Sequence, residues 1–478
     1  MGKRRRLRKR LSAAAWPAET ALRSPATGDA CRCEDLSRGW LCLNETCIQP
    51  SRSNASDRRD RGDRSMAQLY LSKIRQSFPR ERILDIEKTV SMQLAAVRAA
   101  IRPGASIAIA AGSRGVANIA RIVKATVDFV RNANARPFIV PAMGSHGGAT
   151  AEGQTELLAS YGITEQTMGC PLRATMDVVE LPNEGLATKL FMDRFAWESD
   201  GVIVVNRIKP HTDFHGDFES GLVKMAVIGL GKERQAFEMH SFGVAGLRDL
   251  VPQAAKRLLA TGKILAGIGI VENAYDETAL VEAVPAAKIL TREPQLLVLA
   301  KQNMPSLPAD ELDLLIVDRL GKNISGTGMD TNIIGRMHIV DEPEPASPRI
   351  KMIVVTNLTD ESHGNATGMG FADVVTQRLR GKINFPVTYK NARTAGFPDR
   401  AKLPLVADTD REAIDIALRA AGCRGISEAR VVRIIDTLHL EELLVSDAAL
   451  AALRGAPNIE VVGDRHEVCD AAGMLRSF

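Results

Sequence analysis

Between residues 206 and 243 the chain reads NRIKPHTDFHGDFESGLVKMAVIGLGKERQAFEMHSFG. Three of its eight histidines, His211, His215 and His240, stand there, together with a lysine, Lys224, set in apolar sequence. Imidazoles exchange protons near neutral pH and also ligate metals. A lysine amine desolvated among Gly, Leu and Val is a candidate nucleophile or covalent anchor. The plainer alternative is a lysine snorkelling from a partly buried helix. His240 is a candidate metal ligand. No H-E-x-x-H or cysteine cluster accompanies it, so a three-ligand site would need ligands that converge in space.

Two glycine-rich turns upstream add to this inventory. The first, Gly112-Ser113-Arg114-Gly115, places a guanidinium where a helix is expected to begin, which makes Arg114 a candidate anchor for a carboxylate or phosphate. The second, Gly144-Ser145-His146-Gly147-Gly148, leaves open backbone around an imidazole, and His146 is a candidate for proton transfer. A surface arginine and a structural turn histidine are the corresponding plain alternatives.

Positioning these residues requires strand ends. The short β-branched run at 202–205 reads as a buried strand, and strands are expected also at 106–111, 137–141, 177–181 and 264–271. Helices are expected at 86–101, from 116 onward through the stripe Val116, Ile119, Val123, Val127 and Val130, and at 151–161. Strand, glycine turn and helix in repetition predict a mainly parallel sheet, with function at the carboxyl ends of its strands. A second region has its own strands at 314–317, 353–356 and 431–435. It also carries a helix at 410–421, capped by Thr409 or Asp408 and stopped by Gly422. The expectation is an α/β protein with two α/β domains, 66–300 and 301–478, facing each other across a cleft.

Residues 1–65 differ from the rest. They hold 15 Lys+Arg against 8 Asp+Glu, leaving 47 against 49 elsewhere, so the net charge of +5 belongs to this segment. The body gives no electrostatic case for nucleic acid. The segment lacks periodicity and is read as disordered or as an extension from an upstream start codon, with Met66 the more natural beginning. Four of the seven cysteines lie in it, at unusual spacings for zinc. The others, Cys170, Cys423 and Cys469, are far apart, which suits a reducing, cytoplasmic compartment. No apolar run approaches the roughly 18 residues that would span a membrane. G-x-G-x-x-G after a strand, the P-loop and the G-x-S-x-G elbow are all missing; Gly231-Lys232 is followed by Glu233.

The order of these residues resembles the nickel-dependent lactate racemase family and its 2-hydroxyacid racemase and epimerase relatives. That family's run is P-H, a glycine-containing spacer, S-G-G-x-K, then a histidine sixteen residues after the lysine. Here stand Pro210-His211, Ser220-Gly221-Leu222-Val223-Lys224, and His240 sixteen residues on. Ser113-Arg114 looks like the family's arginine turn, and Gly144-Ser145-His146 like its first catalytic histidine. The resemblance implies a nicotinic-acid-derived nickel pincer nucleotide, attached covalently to Lys224 and supplied by accessory proteins, with His240 completing the nickel coordination. It implies His146 and His211 as alternating acid and base on a small hydroxyacid, and Arg114 on the substrate carboxylate. Such chemistry is coherent, because hydride removal avoids a dianionic enediolate.

The chain departs from that pattern in several places. Ala111 holds a position that is acidic in the family, and Leu222 replaces the second glycine. Three extra residues follow His211, so His215 competes for the second acid–base role. In the second domain the family places a Gln and a Lys near the substrate; the nearest stretch here, 326–332, leads to Arg336 and His338. These differences imply a different or larger hydroxyacid than lactate, or lost activity. A Schiff-base lysine enzyme and a non-catalytic carboxylate-binding protein of the same fold are the competing readings.

Overall fold

The computed structural model describes residues 68–478 apart from 113–114, and these fall in one compact unit. In chain order the strands of its first part are β1 (Tyr70–Gln76), β2 (Ser106–Ala111), β3 (Arg136–Pro141), β4 (Val178–Leu181), β5 (Leu190–Asp193), β6 (Gly201–Arg207), β7 (Ile264–Glu272) and β8 (Thr278–Pro285). There follow β9 (Glu311–Val317), β10 (Arg349–Val355), β11 (Val374–Thr376), β12 (Leu405–Ala407), β13 (Val431–Ile434), β14 (Glu442–Val445), β15 (Ile459–Val461) and β16 (His466–Glu467).

The first large sheet has the order β3-β2-β6-β7-β8. Its first four strands are parallel and β8 returns antiparallel to β7. Its central strands are apolar on both faces, as a covered parallel sheet requires. Along β6, Val202 and Val204 enter the core on one face, Ile203 and Val205 that on the other. The helix Ile119–Asn132 covers one side with Ile119, Ile122, Val123, Val127 and Val130, all buried.

The second sheet runs β12-β11-β10-β9-β13-β14-β1-β15, with β16 also on β1. It is parallel from β12 to β13 and antiparallel beyond. The α/β architecture with mainly parallel sheets is as the sequence predicts. Strand β1 pairs with β14 and β15, so the start of the described chain is built into the sheet whose other strands begin at Glu311.

Local expectations differ from the structure in two places. The stretch expected as one helix at 86–101 is α-helical over Ile86–Leu94 and tightens to a 3₁₀ helix over Ala95–Ala100. The strand expected at 177–181 forms an antiparallel two-stranded ribbon with β5 instead of joining the parallel sheet. Periodicity finds a strand but does not name its neighbour.

Candidate functional site

A cavity of about 540 Å³ opens beyond the carboxyl ends of β3 and β6, and the loop 321–328 that follows β9 forms part of its other wall. Both parallel sheets therefore turn strand ends toward it, the usual position for a site in such folds. His146, His211, Lys224 and His240 line it together. His215 does not line it, nor do Arg336 and His338. Arg114 lies outside the described residues.

The loop carrying His211 leaves β6 and is pinched at its base by a two-way backbone bridge between Lys209 and Ser220, 3.0 and 3.2 Å. Inside it is Glu219, a buried carboxylate that accepts the His211 backbone N–H at 2.6 Å and Lys301 Nζ at 2.7 Å. His215 Nδ1 stands 3.3 Å from both carboxylate oxygens. Burial would raise the pKa of Glu219, but His215, Lys301 and the amide outweigh it and hold the carboxyl below its ordinary range. His215 thus contributes to the charge balance of the loop and does not face the cavity.

Lys224 ends the turn Leu222–Lys224, which continues into a π-helical stretch, Met225–Gly229. Helical irregularities of this kind recur at functional sites. The turn is capped by Glu293, whose buried carboxyl accepts the Val223 N–H at 2.8 Å. A Cβ on Gly221 would stand 2.1 Å from Glu293 Oε1, so glycine is required there. Burial pushes the Glu293 carboxyl up to about 8. Lys224 Nζ meets His211 Nε2 directly and lies 5.7 Å above the Phe214 ring, which packs 4.6 Å from the His211 ring.

The His146 turn is held from beneath. Gly144, with φ of +58°, makes the left-handed bend that a side chain would strain. Gln154 Nε2 donates to the carbonyls of Gly144 (2.9 Å) and His146 (3.2 Å), while its Oε1 accepts from Lys232 Nζ at 3.1 Å. Lys232 is fully buried and paired with Asp193 at 3.1 Å. Burial lowers the lysine pKa and raises that of the aspartate, each only partly offset by the other's charge. From Lys232 the helix runs to His240, whose Nδ1 lies 2.5 Å from the Ala236 carbonyl. That bond puts the ring hydrogen on Nδ1 and leaves the Nε2 lone pair for another partner.

Sequence reasoning missed Glu219, Glu293, Lys232, Asp213 and Arg400, which hold these groups in place. Lys232 and Glu293 carried a faint signal, a charge among residues that bury. The opposite wall carries Lys322, Asn323, Ser325, Thr327, Thr367 and Asn391. Among the described residues no group of three or more His, Cys, Asp or Glu is placed to hold a metal ion. No helix among them is long and apolar enough to cross a membrane.

No family model matches this chain, and no curated protein matches it in sequence. Among solved structures it is similar to the lactate racemase apoprotein from Thermoanaerobacterium thermosaccharolyticum, with 13% identity and a TM-score of 0.47. The similarity covers 77% of this chain and 98% of that one.

Proposed function

We propose that the chain is an isomerase, a racemase or epimerase of a 2-hydroxyacid. The observation that carries the reading is that His146, His211, Lys224 and His240, from three separate segments, line one cavity. Their order, and the sixteen residues from Lys224 to His240, are those of the racemase motif, while three extra residues separate His211 from Ser220. The cofactor that this motif implies fits the residues present. Lys224 offers an amine at the cavity for covalent attachment, and His240 offers a bare Nε2 with its tautomer already set. Accessory proteins would supply the group. When bound, it provides a carbon that takes the α-hydride and returns it to either face.

The chain's own residues do the rest. Arg114 holds the substrate carboxylate. One of His146 and His211 takes the hydroxyl proton and the other protonates the product, exchanging roles with the direction of reaction. Lys224, once its amine is acylated, carries no charge and no longer competes for His211 Nε2. Glu219 and Gln154 keep the two histidine turns rigid through backbone bonds.

Intact-protein mass after co-expression with the cofactor-making proteins tests the tether: an adduct is expected on the natural chain and none on Lys224→Ala. With loaded enzyme and an α-deuterated hydroxyacid, the inverted product should keep most of its deuterium. Wash-out to solvent would argue for proton abstraction instead.

The contact between Lys224 Nζ and His211 Nε2 also favours a second reading, an amine nucleophile that forms a Schiff base with a carbonyl substrate. Borohydride trapping of a carbonyl compound on Lys224 would select it.

A further inference from the structure

Arg400 reaches the His211 loop from the 3₁₀ turn Pro398–Ala401, between β11 and β12, and is 2% exposed. Its Nη1 pairs with Asp213 Oδ1, Nε donates to the Met337 carbonyl at 3.0 Å, and Nη2 reaches the Thr212 carbonyl at 3.4 Å. The guanidinium carbon lies 4.1 Å from the Phe397 ring centre and 5.4 Å from that of Phe371. Each guanidinium nitrogen is engaged, so this arginine is a clamp and not a free anion anchor. Thr331 Oγ1 bonds the Thr212 carbonyl at 2.9 Å, and Asn332 Nδ2 bonds that of His211 at 3.3 Å, both from beyond β9. Three side chains from that part of the body thus close on residues 211–213.

We propose that Asp213 is the positioning residue that sets the ring state of His211, and that Arg400 keeps it in register. The proposal rests on His211 being an acid–base group. The Asp213 backbone N–H donates to His211 Nδ1 at 3.0 Å, and its carboxylate Oδ2 lies 3.8 Å from the same nitrogen. With the amide bonded, Nδ1 keeps its lone pair and the neutral ring carries its hydrogen on Nε2, a nitrogen that Lys224 Nζ can then meet only as an uncharged amine. Moving a substrate proton through Nε2 requires the hydrogen to stay on Nδ1, and the Asp213 carboxylate, 3.8 Å away, is the acceptor that would close on it. One residue therefore serves both states, its amide the resting tautomer and its carboxylate the imidazolium. When Nε2 passes its proton to a substrate oxygen, the other hydrogen stays on Nδ1, facing the Asp213 carboxylate.

The charged surroundings agree. Burial works against the Asp213 charge, yet His211, Arg400 and Lys224 together hold the carboxyl below its ordinary range. Around His211, Lys224 meets Nε2, Asp213 faces Nδ1, and Arg400 stands behind Asp213. Glu219, with His215 and Lys301, lies at the backbone.

The test is a histidine-ring NMR titration of the unloaded protein, with His211 assigned by His211→Gln. Asp213→Asn is expected to lower the His211 midpoint by about one unit and leave His240 unmoved, with Asp213→Glu restoring part of the shift. A midpoint unchanged in Asp213→Asn overturns the proposal. Arg400→Lys keeps the charge and loses the planar fork. It is expected to move the Nδ1 nitrogen shift away from its value in the natural chain, and an unmoved shift removes Arg400 from the proposal. If Asp213→Asn does not fold, the Nδ1 shift in Arg400→Lys decides the whole proposal. These readouts need no turnover, so a failure to racemise would leave them standing, and their failure would leave the racemase reading intact.

Discussion

On the wall that the first sheet contributes to the cavity, His146, Arg207, His211, Lys224, His240 and Glu272 crowd ionisable groups around the strand ends. The wall beyond β9 presents amides and hydroxyls, Asn323, Ser325, Thr327, Thr367 and Asn391, with Lys322 among them. The two are supported differently. The first wall depends on buried ionisable groups set behind it: the charged Glu219 and Lys232 with Asp193, and the protonated carboxyl of Glu293. The second satisfies itself locally: Ser325 bonds Thr327 at 3.0 Å, Thr359 donates to Asn323 at 2.7 Å, and Lys322 donates to Asn391 at 2.9 Å. Buried charges are costly and tolerated where reactivity needs them, whereas short-range hydroxyl and amide pairs suffice for recognition. Chemistry is thus expected from the first wall and substrate selection from the second.

Removing either histidine of the first wall is the strongest challenge to that division. His146→Gln or His211→Gln should each lower turnover of loaded enzyme by about 10² to 10⁴-fold with little change in melting temperature, measured by chiral chromatography and calorimetry. An effect confined to KM would place the histidines in recognition and erase the contrast.

A smaller effect is expected behind the wall, at Glu293. Its pKa is raised from 4.5 to about 8 in the folded chain, so folding favours the protonated form. The stability this provides is complete below the unfolded value and is lost as pH rises from about 4.5 toward 8. Glu293→Gln should abolish that loss, melting higher than the natural chain at pH 8 by on the order of 5 °C and differing less at pH 5. Parallel melting curves at both pH values would show that the carboxyl is not buried uncharged.

The mildest effect belongs to the second wall. The carbonyl oxygens of Asn323 and Asn391 accept bonds from Thr359 and Lys322, which turns their NH₂ groups the other way. Asn323→Ala and Asn391→Ala should change KM about 5 to 20-fold for hydroxyacids bearing further polar groups, on the order of one hydrogen bond each, and leave kcat within about twofold. Loss of kcat instead would show that both walls share the chemistry.

Local sequence determined the strand–glycine–helix pattern, the apolar strands at the centre of the first sheet, and the position of His146 and His211 just past strand ends. These follow from periodicity and turn chemistry, which act over a few residues. Spacing alone also put Lys224 and His240 in one segment, and both line the cavity. It did not separate His211 from His215, four residues apart. That separation came from Glu219, which is bonded to Lys301, 82 residues away, and has the ring of His215 turned to it. Likewise β1 joins a sheet whose next strand in sequence begins at Glu311, and Arg400 meets Asp213 across 187 residues. Which buried charge finds which partner depends on packing between distant segments, because the desolvation that makes each pairing necessary exists only after the chain has folded.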